Sequence, residues 1–199
     1  MHIHPENPQP RLINQVADTL RKSGVIIYPT DTIYGMGCDI HQPRAIERIC
    51  RIKQVDPLKA TFSFIFRDLS HISDYTKSID NSTFRLLKQY LPGPFTFILN
   101  AGKAVPKLLH NKRSTIGIRI PDNRICLYLT ETLGNPLITT TLPGDMVEEY
   151  TDPEIIHEKF GSLVDIVIDG GPGGIIPSTV IDCTGDEPAV TREGLGDFN

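Results

Sequence analysis

The apolar positions fall into short blocks whose spacing changes along the chain. Leu12, Ile13, Val16, Ala17 and Leu20 recur at the interval that lines one face of a helix, which predicts a first helix over residues 10–22. Ser23 and Gly24 end it, and Gly24-Val25-Ile26-Ile27-Tyr28 follows as a buried strand. Pro29 stops that strand and opens a polar turn, Pro29-Thr30-Asp31-Thr32. Pro43 suits the start of a helix, and Ala45, Ile46, Ile49 and Cys50 give it an inner face as far as Lys53. Residues 62–66 read as a second strand. Asp80 can cap a helix whose apolar face carries Phe84, Leu87 and Leu91. Pro92-Gly93-Pro94 breaks that helix, and residues 95–99 make a third strand.

Further on, Ile116, Ile118 and Ile120 alternate with Gly117 and Arg119, the pattern of a half-buried strand whose other face carries Arg119. A helix over 123–133 and a strand over 137–140 follow. Thr151-Asp152-Pro153-Glu154 has the form of a capping box, so a helix starts there. Strands are predicted over 164–168 and 179–181, with a last short one over 189–191. Helices and strands mostly alternate, which implies a mixed α/β sheet with helices packed on it. There is no internal repeat and no clear linker, so residues 1–199 are expected to form a single domain. The stretch 142–150 is expected to be a mobile loop. The Gly-rich stretch 170–174 reads as a tight or flexible connection, because it lacks the Lys-Ser/Thr ending of a phosphate loop.

Composition narrows the class. Hydrophobic residues make up 39% and charged residues 22%, values of an ordinary folded protein and not of a disordered one. No apolar run is long enough to span a bilayer, and the start of the chain lacks a secretion signal pattern, so a cytoplasmic protein without a membrane partner is expected. The net charge of −4 gives no general attraction to nucleic acid, though a local basic concavity is compatible with it. The four cysteines form no CxxC pair and read as buried thiols of a reducing compartment. His2 and His4 read as part of a frayed end.

Several residues could carry chemistry. Thr30, Asp31, Thr32 and Tyr34 crowd just beyond the carboxyl end of a buried strand, where ligands of open α/β sheets sit; the same groups could instead satisfy the turn's own backbone. Arg119 offers a rigid fork of donors suited to phosphate or carboxylate, or it is a surface arginine. Ser178 and Thr179 could cup an anion. Lys53, Lys59 and Arg192 are either ligands or solvated charges. No nucleophile–base pairing and no metal-type cluster stands out, so no metal site is expected.

Taken in order, five segments resemble signatures of the YrdC/YciO family of threonylcarbamoyl-AMP synthase-like proteins. They are Val25-Ile26-Ile27-Tyr28-Pro29-Thr30-Asp31-Thr32-Ile33-Tyr34-Gly35, Pro92-Gly93-Pro94-Phe95-Thr96, Ile116-Gly117-Ile118-Arg119-Ile120-Pro121, Ser178-Thr179-Val180-Ile181-Asp182 and Arg192-Glu193-Gly194. The resemblance implies a twisted sheet around a large concave surface. It implies that active members join threonine, bicarbonate and ATP into threonylcarbamoyl-AMP and pyrophosphate for tRNA modification, with ATP as substrate accompanied by Mg2+ and no tightly bound cofactor. By the same likeness Lys53, Thr32 and Arg119 carry the reaction, Thr32 and Tyr34 shape the threonine and carbamate pocket, and Thr30, Thr139, Thr141, Ser178, Thr179 and Arg192 complete the substrate and nucleotide sites.

Two departures set this chain apart. The family's synthases carry Lys-x-Arg after the second helix, where this chain reads Lys53-Gln54-Val55; they carry Ser-x-Asn after a strand, where it reads Thr141-Leu142-Pro143. The pattern is more like the YciO branch, and it implies weakened synthesis. The alternative is a module that binds double-stranded RNA, tRNA or a nucleotide without synthase activity, in the manner of a translation factor.

Overall fold

The structure, a computed structural model, describes residues 1–57, 59–106, 109, 114–144 and 150–199. The helices are α1 (Pro10–Arg21), α2 (Pro43–Lys53), α3 (Ile72–Tyr75), α4 (Asn81–Tyr90), α5 (Arg124–Leu133) and α6 (Pro153–Phe160). The strands are β1 (Ile26–Tyr28), β2 (Gly35–Asp39), β3 (Ser63–Ile65), β4 (Phe95–Asn100), β5 (Thr115–Arg119), β6 (Leu137–Thr141), β7 (Ile166–Val167), β8 (Thr179–Asp182) and β9 (Ala189–Arg192). All of these strands join one twisted mixed sheet in the order β7-β1-β2-β6-β3-β5-β4-β8-β9. The mixed α/β class expected from the alternation is the one observed.

Side chains on a strand alternate between faces, so the pairing register sorts them. One face presents Val25, Ile27, Met36, Cys38, Phe64, Phe97, Ile118 and Ile138, and packs against Ala45, Ile46 and Ile49 of α2, Leu87 of α4 and Ile156 of α6. The other face presents Ile26, Tyr28, Ile65 and Leu137 to Ile13, Val16 and Leu20 of α1 and Ile125, Cys126, Leu129 and Leu133 of α5. Each fully buried large aliphatic contributes about 1.5–3 kcal/mol by leaving water, so both layers are held mainly by apolar burial. On this second face α1 and α5 cover only part of the sheet, and the remainder is open.

Local signals set the helix ends. Asp80 caps α4, its Oδ1 accepting from the Thr83 amide at 2.9 Å. That start turns Thr83 and Leu87 inward and leaves Phe84, predicted on the inner face, 40% exposed beside Lys88. At α6 the cap is Asp152, whose carboxylate accepts from the Glu154 amide at 2.8 Å, so the helix begins at Pro153. Two elements, β2 and α3, lay outside the expected set. The chain's first residues are not frayed: the Met1 ammonium donates to the Val167 carbonyl at 2.8 Å, Ile3 is fully buried and His2 pairs with Asp169. Of the loop expected over 142–150, residues 145–149 lie outside the described residues. The cysteines are free; Cys38, Cys50 and Cys126 are buried and Cys183 is partly so.

Candidate functional site

The open part of the second sheet face forms a cavity of ≈ 290 Å³. Its floor follows from the register: Ser63 pairs with Gly117 and Thr139, Gly117 with Ile98, Gly35 with Thr141, and Thr96 with Val180. Gly35, Ser63, Thr96, Gly117, Thr139 and Thr141 are small or hydroxylated, which keeps most of the floor low, while Ile98 and Val180 add an apolar part. A Cβ at Gly117 would sit 2.6 Å from Ser63 Oγ and 3.1 Å from Thr96 Cγ2, so a side chain does not fit there without displacement. Glycine within a strand commonly marks such close approach.

Arg119 ends β5 in this floor and is only 8% exposed. The strand expected to carry Arg119 on its polar face is β5, and that face lies in the cavity, so Arg119 is not the surface arginine of the alternative reading. Its guanidinium Nη2 donates to Asp31 Oδ1 and to Thr32 Oγ1, both at 3.0 Å. Its Nε is buried and has no hydrogen-bond partner among the described residues. Such a group is costly in a native structure and is normally satisfied by something else, a water or a ligand.

Arg192 reaches the same cavity from edge strand β9. Its Nη2 donates to the Ser178 carbonyl at 2.7 Å and lies 3.2 Å from Ser178 Oγ, which in turn sits 2.8 Å from Thr96 Oγ1. Burial and, second, the nearby charge of Arg119 push Arg192 below its ordinary pKa. Both guanidiniums thus repel across a cavity ringed with hydroxyls.

Tyr34 forms a wall. Its Oη donates to the Gly171 carbonyl at 2.7 Å and accepts from the Gly170 amide at 3.3 Å. The Gly173 amide bonds to the Thr151 carbonyl at 2.7 Å and the Gly174 amide to the Thr32 carbonyl at 2.8 Å. The 170–174 stretch is therefore a tight strap bolted over the polar turn. Burial first pushes the Tyr34 phenol up to about 12, so it is a neutral donor at neutral pH.

The remaining predicted residues divide. Thr139 and Thr141 line the cavity, and Lys53 reaches its edge through Thr141. Burial pushes the Lys53 ammonium below its ordinary value. Thr30 and Thr32 stand behind the lining: Thr30 Oγ1 donates to the Ile33 carbonyl at 2.7 Å and accepts from the Thr32 amide at 3.1 Å. The turn thus satisfies part of its own backbone while Thr32 also serves Arg119. Thr179 points elsewhere; its hydroxyl donates to the Gly196 carbonyl at 2.5 Å and accepts from the Gly194 amide at 3.1 Å. The sequence reading assigned no role to Ser63, Thr96, Thr115 or Gly117. A partial signal lies in the inward positions of neighbouring strands, where Gly35, Ser63, Thr96, Gly117, Thr139 and Thr141 are small or hydroxylated.

The model of the Sua5_yciO_yrdC family, described as "Telomere recombination", matches residues 18–194. The chain belongs to this family. Within the Sua5/YciO/YrdC family it is 50% identical over 199 residues to the uncharacterized protein YciO of Escherichia coli strain K12, covering 98% of this chain and 95% of that one. The crystal structure of E. coli YciO superposes with a TM-score of 0.91, covering 99% of this chain and 96% of the other. A threonylcarbamoyl-AMP synthase of Coxiella burnetii is 30% identical over 161 residues, covering 81% of this chain and 86% of the relative. The structure of P. abyssi Sua5 complexed with L-threonine superposes with a TM-score of 0.86 at 25% identity, covering 98% of this chain and 57% of that longer one. No helix among the described residues is long and apolar enough to cross a membrane.

Proposed function

We propose that the cavity carries out threonylcarbamoyl-AMP synthesis at reduced rate: threonine, bicarbonate and ATP give threonylcarbamoyl-adenylate and pyrophosphate, the former for tRNA modification. The observation that carries this reading is Arg119, a buried guanidinium with an unpaired Nε, in one cavity with a second arginine. Two neighbouring cations that repel are brought together by an anion, and a carboxylate and a polyphosphate are among the anions of this reaction. The family relatives named as threonylcarbamoyl-AMP synthases and the threonine complex of P. abyssi Sua5 support the choice of substrates.

The chemistry needs positioning more than a protein nucleophile. A carbamate oxygen attacks the α-phosphorus, the bond to the bridging oxygen breaks, and pyrophosphate leaves. Holding these groups in line and offsetting the charge on the phosphoryl oxygens supplies the acceleration. Arg119, Arg192 and the hydroxyls of Thr96, Ser178, Thr139 and Thr141 provide fixed donors around the cavity. Lys53, held half-buried at the rim with no carboxylate bonded to it among the described residues, suits a polyphosphate chain. Magnesium enters with ATP as part of the substrate. The free cysteines accord with a cytoplasmic setting.

Val55 and Pro143 bring no donors to the phosphate side. Each missing charge-assisted contact costs about 1.5–3 kcal/mol, or roughly tenfold or more in rate, which is the basis for a slow enzyme. The same two residues favour a second reading, a nucleotide- or RNA-binding module without turnover. Pyrophosphate release with and without threonine separates the two. Threonine-dependent release supports synthesis; none above the control, with binding to RNA that falls steeply as salt rises, supports the module.

A further inference from the structure

Asp31 does not line the cavity, yet it is joined to the guanidinium in its floor. Its Oδ1 accepts from Arg119 Nη2 at 3.0 Å and its Oδ2 accepts from the Asp122 amide at 3.1 Å. Both ionic side chains are only 9% exposed. Burial pushes the Asp31 carboxyl above its ordinary value, opposed by the Arg119 charge and then by the Asp122 amide. Asp31 therefore sits where a carboxylate is costly and is kept with donors on both oxygens.

The fork of an arginine is planar, so fixing one nitrogen fixes the direction of all its N–H bonds. Asp31 and Thr32 between them take up the hydrogens of Nη2. They leave the Nε hydrogen without a partner among the described residues. We propose that Asp31 is a positioning residue: it locks the Arg119 plane so that the groups of the fork not bound to Asp31 and Thr32 are aimed at the anion in the cavity. This rests on the reading of the cavity as an anion site. A carboxylate is needed because both neighbours are donors. Asparagine could accept from one of them but would turn an N–H group toward the other.

The experiment is a double-mutant cycle with Asp31→Asn and Arg119→Lys, titrating ATP and L-threonine separately by calorimetry and checking each variant by thermal melting. Asp31→Asn is expected to weaken at least one ligand about tenfold, and to add nothing further in the Arg119→Lys background, because it acts through the fork. Unchanged affinities for both ligands, or an equal further loss in the lysine background, overturn the proposal. A second readout needs no ligand: nitrogen NMR of the Arg119 side chain. Slow rotation of its terminal nitrogens, made fast by Asp31→Asn, supports the locked plane, and slow rotation retained in the variant overturns it. If the unmodified protein binds neither ATP nor threonine, the synthase reading fails, and the NMR result alone decides the role of Asp31.

Discussion

Lys53 is tied to Thr141: its Nζ donates to the Thr141 carbonyl at 2.5 Å and lies 3.3 Å from the Thr141 hydroxyl. The last residue of α2 is thereby fastened to the last residue of β6, at the rim of the cavity. A cation at this helix end also complements the helix dipole, yet burial still lowers its pKa. Lys53 is held in place at a cost to its own charge, as expected of a group kept for a ligand.

Replacing Lys53 with methionine tests this. Between the lowered pKa and the ordinary 10.5, the folded state binds fewer protons at this site than the unfolded state. Its contribution to stability therefore rises with pH through that window. Lys53→Met is expected to flatten that rise in urea melts at alkaline pH, to leave the fold intact at pH 7 and to weaken ATP binding about tenfold or more. Unchanged ATP affinity removes Lys53 from the site.

Val55 lies just past Gln54, which closes α2 with a left-handed φ of 55°, and Val55 is 37% exposed. An arginine there meets no core packing. The pair Val55→Arg and Pro143→Asn restores the donors typical of the family's synthases and is expected to raise threonine-dependent pyrophosphate release about tenfold or more. A rate no higher than that of the starting protein means that the missing donors are not what limits it.

Gly173 packs against the edge of the Tyr34 ring. A Cβ there would come within 2.6 Å of Tyr34 Cδ2, so Gly173→Ala pushes the ring. Overpacking of this kind costs about 1–3 kcal/mol. The expected result is a lower melting temperature and a raised KM for threonine with a smaller change for ATP. Equal changes for both substrates indicate general loosening of the strap.

Asp80 offers a pH test remote from the cavity. Bonds from the Ser82 hydroxyl, then from the Thr83 amide and hydroxyl, hold its carboxyl below the usual carboxylate range. Its contribution is present above the ordinary pKa of 3.8 and is lost as pH falls below it. Asp80→Ala is expected to lower the melting temperature at pH 7 and to make the acid-side decline shallower. An unchanged melting temperature means that the cap contributes nothing to stability.

The sequence predicted elements best where one face decides the pattern. Leu12, Ile13, Val16, Ala17 and Leu20 mark α1 by spacing alone, and Asp80 marks the start of α4 chemically. Strand β2 was hidden because Gly35-Met36-Gly37-Cys38-Asp39 contains no β-branched or aromatic residue. Its glycines make sense only in three dimensions, where a Cβ at Gly37 would strike the Ile138 carbonyl and the Tyr28 ring. Arg119 stood out by alternation with isoleucines, but the partnership with Asp31 depends on the sheet order, which local pattern does not contain. Thr179 shared a motif with Ser178, yet alternation along β8 sends their side chains to opposite sides. Asp152 rather than Thr151 caps α6 because its carboxylate meets the Glu154 amide.

The most direct test is detection of the product itself. The purified protein is incubated with ATP, threonine and isotopically labelled bicarbonate, and the nucleotides are resolved by mass spectrometry. A labelled threonylcarbamoyl-adenylate that requires all three substrates, and that is lost in Arg119→Ala, is the predicted result. Absence of the labelled adenylate under conditions where ATP and threonine are both bound contradicts the synthase reading.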